Sequence, residues 1–128
     1  MDAIQFTRHA KQDPQLNAFL KEIAEDVARQ VPAEEAQRYI TVTGVDILIA
    51  IAAYALYRWL KDYFDHRRAL KEAEILKQQE QIIAALIKDG FPPNDARAVT
   101  VALLKRIAQR SAEDPVLKAA TVLVGKGD

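Results

Sequence analysis

Asp62 and His66 stand four residues apart, a spacing that puts both on one face of a helix, where they could pass a proton or share a metal ion. His9 is the only other histidine, so no third imidazole completes a typical zinc triad, and a solvated ion pair is the plain account of Asp62 and His66. Cysteine is absent, which removes disulfides, thiolate metal sites and cysteine nucleophiles. The four glycines, at 44, 90, 125 and 127, form neither a dinucleotide nor a triphosphate loop. Glu22, Glu25 and Asp26 gather on one stretch, but carboxylates alone make no reaction and read as a water-facing surface.

Residues 58–68, RWLKDYFDHRR, interleave aromatics with cations. Trp, Tyr and Arg dominate the hot spots of protein interfaces. With Trp59, Leu60 and Phe64 available to a core, Arg58, Tyr63 and Arg67 are the expected partner-binding residues. Residues 95–110 are basic, with Arg97, Lys105, Arg106 and Arg110 against Asp95, but those cations are spread round a helix rather than aligned on a nucleic-acid face. Eighteen basic residues balance eighteen acidic ones, so no overall field draws polyanions. No cofactor, metal or nucleic-acid partner is expected; another protein is.

These residues need elements to hold them. At 128 residues the chain suits one domain, 1–128, ending in a short polar tail at 125–128. Asp13 caps a helix that opens on Pro14 and carries Leu16, Phe19, Leu20, Ile23 and Val27 on one face until Pro32. PAEEAQRYI, residues 32–40, suits a short second helix with Glu34 and Glu35 in its positive first turn. Thr43 and Asp46 have the spacing of a cap and a first-turn acid for the next helix, which begins near Gly44. Residues 45–88 lack glycine and proline, and one helix of that length would run ~66 Å. A break is expected at residues 65–69, where the apolar spacing falters. Gly90 reads as a left-handed helix stop, with Phe91 folding back on Leu86. Asn94 or Asp95 caps the following helix, with Ala96, Val99, Leu103, Leu104 and Ile107 inward until about Arg110. Asp114 and Pro115 then repeat the chemistry of Asp13 and Pro14.

The most apolar stretch, TVTGVDILIAIAAYALYRWLKDYFDHRR at 41–68, must either cross a membrane or fill a core. Its uncharged part, ILIAIAAYALY at 47–57, is shorter than the ~20 residues of a span. Over residues 42–60, eight Val, Ile and Leu supply about −4 kcal/mol of insertion energy, against up to about +3 for each of Asp46 and Arg58, so energetics leave the matter even. Tyr54, Tyr57 and Trp59 followed by Arg58, Lys61, Arg67, Arg68 and Lys71 resemble an interfacial belt with a positive flank. The remaining helices, however, carry one-sided stripes that need a partner, and a helix apolar on all faces satisfies every one of them. The expectation is therefore a core helix.

Residues 82–107, IIAALIKDGFPPNDARAVTVALLKRI, are similar to the start of ubiquitin-associated three-helix domains in placing a Gly-Phe turn between an apolar helix and an Ala-rich one. Asp89 stands where that family has an apolar residue, and the likeness is one of helix-stop chemistry that implies no ubiquitin binding.

The sequence thus predicts an all-α bundle of five or six helices round a central apolar helix. With no visible catalytic constellation, the expected function is a non-catalytic protein-binding module, such as a small inhibitor of the immunity-protein or antitoxin kind. The alternative is a single-pass membrane-anchored adaptor spanning near residues 42–60. The first residues, MDAIQFTRHAKQDPQ, lack a signal peptide's basic flank and apolar run, so a cytoplasmic location is expected.

Overall fold

The computed structural model describes residues 2–30, 42–66, 72–110 and 114–125, the side chains of 42–45, 62–66 and 72–77 excepted. These residues form a compact all-helical bundle of six helices: α1 Ala3–Gln12, α2 Pro14–Gln30, α3 Val42–His66, α4 Glu72–Lys88, α5 Pro93–Ala108 and α6 Pro115–Gly125. The short helix expected at 32–40 lies outside the described residues.

Side-chain capping starts α1, α2 and α6. Asp2 opens α1 with a reciprocal capping box: its Oδ1 accepts the Gln5 amide at 2.8 Å while Gln5 Oε1 accepts the Asp2 amide at 3.1 Å. No helix was expected there, and α1 nevertheless buries Phe6, Thr7 and Ala10. Asp13 then serves two helices. Its amide donates to His9 O at 3.1 Å, closing α1, and its carboxylate accepts from the Gln15 and Leu16 amides at 2.9 and 3.1 Å, opening α2. Asp114 does the same for α6 through the Val116 and Leu117 amides at 2.9 and 3.4 Å.

Two expected caps are corrected. Helix α3 is already formed at Val42, so Thr43 lies inside it, and Asp46 falls outside its first turn. Helix α5 takes Pro92 as its cap with no side-chain hydrogen bond; two successive prolines fix the entry, and Asp95 lies 5% exposed in the first turn instead. The stop after α4 is as expected in its backbone: Gly90 has φ of +101°, its amide donates to Ile87 O at 3.0 Å, and the Phe91 amide donates to Leu86 O at 3.1 Å. That is a Schellman closure, which glycine adopts without a Cβ penalty. The Phe91 ring packs against the core and meets Tyr54 edge-on at a centroid distance of 5.0 Å.

Helix α3 is the axis of the bundle and touches α1, α2, α4, α5 and α6. Leu48, Ile51, Ala52, Ala53, Ala55 and Leu56 are fully buried, with Trp59 and Leu60 nearly so. Burying each large side chain is worth ~1.5–3 kcal/mol, and facing neighbours supply the matching stripes: Leu16, Phe19, Leu20 and Ile23 of α2, and Val99, Leu103, Leu104 and Ile107 of α5. The apolar stretch is a protein core. Among the described residues no helix is long and apolar enough to cross a membrane, which leaves the spanning alternative without a segment there. Helices α3 and α4 are separate elements that pack together; of the break expected at 65–69, residues 65 and 66 are still in α3 and residues 67–69 lie outside the described ones.

Candidate functional site

Of the three expected partner residues, Arg58 is described; the side chain of Tyr63 and all of Arg67 lie outside the described residues. Arg58 projects from α3 into an open cleft of about 510 Å³, which it shares with Asp2, Ile4, Tyr54, Tyr57 and Asp89. Its Nη2 donates to Asp89 Oδ2 at 2.8 Å, with 43% of the Arg58 side chain and 31% of the Asp89 side chain exposed. A pair that open to water adds little stability.

The cleft is assembled by tertiary packing. The α4 stop carries Asp89 to Arg58 and Phe91 to Tyr54. The capping box of α1 anchors Asp2, which leaves Ile4 59% exposed on the cleft's edge. Phe6, buried under the same helix, lies 5.7 Å from the Tyr57 ring in a tilted arrangement, and Lys61 Nζ sits 5.9 Å from that ring's centre. Burial, then the negative charges of Asp89 and Asp2, push the Tyr54 phenol above its ordinary pKa of 10.0, which keeps it a hydrogen-bond donor. The result is a rim of two tyrosines and an arginine beside an exposed isoleucine.

Several other candidate groups are paired within the fold. Of Glu22, Glu25 and Asp26, expected to face water, Glu22 and Glu25 are exposed and Asp26 is partly covered; Glu22 and Asp26 accept from Arg106 at 3.0 Å and 2.7 Å and so tie α2 to α5, and Asp26 also pairs with Arg29. Partial burial pushes the Asp26 carboxyl up, but the hydrogen bonds from Arg106 and Arg29 outweigh it and hold the group below its ordinary value of 3.8. Arg97 grips Glu80 of α4 with two bonds of 2.9 and 3.2 Å. Arg110 pairs with Asp114 at 2.8 Å and lies over the Phe19 ring at 4.7 Å. Three of the four cations of residues 95–110 are therefore engaged within the protein. The side chains of Asp62 and His66 lie outside the described residues, and His9 is exposed. Among the described residues no three His, Cys, Asp or Glu side chains could hold a metal ion.

Sequence reasoning missed Tyr54, Tyr57, Asp89, Asp2 and Ile4 as cleft residues. The Asp2-x-x-Gln5 spacing could have revealed the anchored α1, but nothing local joins Arg58 to an aspartate 31 positions away. No protein-family model, curated protein or solved structure matches the chain.

Proposed function

We propose that this chain is a non-catalytic protein-binding module that engages another protein through the Arg58 cleft. The observation that carries this is the meeting of Tyr54, Tyr57 and Arg58 beside Ile4, an aliphatic side chain 59% exposed. Tyr and Arg are the residue types on which binding energy concentrates, and here Tyr54 packs on Phe91, Tyr57 lies beside Phe6 and Arg58 pairs with Asp89. A small inhibitor of another protein, of the immunity-protein or antitoxin kind, is the form of module that suits a chain of 128 residues.

The test is retention of a partner by the immobilised chain, its Arg58→Ala variant and its Ile4→Asp variant, each first shown to melt like the parent. A partner lost by both variants supports the cleft. One held equally by all three places binding on another face and overturns the proposal.

A further inference from the structure

Helices α4 and α5 fold back on each other through residues 89–92 and pack together. Each carries one polar side chain where its inward stripe would otherwise be apolar. On α4, Gln78 stands one turn before Ile82 and two before Leu86, both buried; on α5, Thr100 stands between Ala96 and Leu104, both fully buried. Gln78 is itself only 4% exposed and Thr100 0%. Gln78 Oε1 and Thr100 Oγ1 are cut off from the surface, and neither has a hydrogen-bond partner within the protein. Thr7 and Thr121 show the usual recourse of a helical threonine, since each hydroxyl donates to the carbonyl four residues earlier at 2.7 Å. Thr100 does not take it. A buried polar atom left in that state keeps the full cost of leaving water, so both atoms call for a partner.

The two orphans lie at one level of the seam. Glu80 and Arg97 bond across it at 2.9 and 3.2 Å, which marks where the helices meet. From that pair, Gln78 is two residues back along α4, ~3 Å, and Thr100 is three residues on along α5, ~4.5 Å. In helices that run opposite ways these are steps in the same direction. We propose that Gln78 and Thr100 hold one buried water molecule between them and so join α4 to α5 inside the seam. Water both donates and accepts, which suits a hydroxyl and either end of a side-chain amide, and two to four polar partners are enough to hold it. An ion does not suit the place: neither residue is charged, and the stripes on either side are aliphatic, so its charge would go unmatched.

The experiment joins a high-resolution crystal structure of the parent to thermal melts of Gln78→Met, Thr100→Val and the double variant. The crystal structure should show one water within hydrogen-bond distance of both side chains. Each single variant should melt roughly 3–6 °C lower, because it strips the water of one partner and strands the group opposite. The double variant should recover most of that loss, since both polar groups and the water leave together. All three variants place apolar side chains in an apolar seam, and the parent's crystal structure reads the site without any of them.

Single variants that both melt above the parent, with their gains adding in the double, would mean two dry and independent orphans and overturn the proposal. So would a direct Gln78–Thr100 hydrogen bond, or a separate water on each group, in the crystal structure.

Discussion

Helix α3 and helix α1 both pack against the same core, yet they do opposite work. Through α3, most side chains from Leu48 to Leu60 are buried, Tyr54, Tyr57 and Arg58 reaching the cleft, and contact with every other described helix is made. Helix α1 buries only Phe6, Thr7 and Ala10, with Ile4 at the Arg58 cleft and His9 at a groove beside α6. Burial is concentrated in α3, which gives one edge to the Arg58 cleft, and α1 is mostly exposed surface. Substitutions should therefore separate folding from recognition, and an experiment that found them inseparable would break the comparison.

The largest effect is expected at Ile51, fully buried at the middle of α3. Ile51→Asp puts an unpaired carboxylate among aliphatic groups, at a cost on the order of 4 kcal/mol or more, against a total stability of ~5–15 kcal/mol. Circular dichroism should show a chain that is unfolded or melts tens of degrees lower. A cooperative melt within a few degrees of the parent would mean that α3 is not the axis of the bundle.

Next comes the α2–α5 seam, where Arg106 bridges Glu22 and Asp26. Arg106→Ala should cost roughly 1–3 kcal/mol at neutral pH, because partly covered carboxylates lose charged partners. The sign with pH follows from Asp26. Its folded-state pKa is depressed, so the stability it contributes is present above the ordinary value of 3.8 and lost as pH falls through the lower folded value. Parent and Arg106→Ala should converge in denaturant midpoint as the solution is acidified below about pH 4. A gap that stays constant down to pH 2 would assign the effect to packing of the Arg106 stem.

Much of α3's role was legible beforehand because burial repeats with the helix. Leu16, Phe19, Leu20, Ile23 and Val27, and likewise Val99, Leu103, Leu104 and Ile107, face inward as their spacing predicts. Asp-Pro pairs gave two helix starts, since a cap bonds only its nearest amides. The pairing of surface charges was hidden for the converse reason. Asp26 and Arg106 are 80 positions apart, Arg58 and Asp89 31, and no periodicity encodes which exposed charge meets which. Caps also fail as signals where covalent geometry replaces them, as Pro92 and Pro93 do ahead of Asp95.

The two Asp-Pro junctions grade the next effect. Asp13→Ala removes an N-cap from α2 and should cost about 1 kcal/mol. Asp114→Ala removes the equivalent cap from α6 and also the partner of Arg110, itself stacked on Phe19, so it should melt lower than Asp13→Ala. Thermal melts of the two single variants decide the order. Reversal would mean that Asp13, by ending α1 and beginning α2 at one residue, holds more of the fold than its hydrogen bonds indicate.

The smallest effect is expected at the exposed aliphatic side chains. Ile4 is 59% exposed and Val122 56%, so each already leaves most of its apolar surface in water, and replacing it removes little burial. Ile4→Asp places an acid in the second position of α1, where the helix dipole favours it, and offsets the lost contact. Val122→Lys exchanges a β-branched residue for a better helix former in the last turn of α6, where a cation is also favoured. Both should shift stability by no more than about 0.5 kcal/mol in dilute solution. The informative variable is protein concentration. If the parent's melting temperature rises with concentration and that of Val122→Lys does not, the exposed valine is covered by another copy of the chain, and the apparent stability of α6 includes an association energy that α3 never needed.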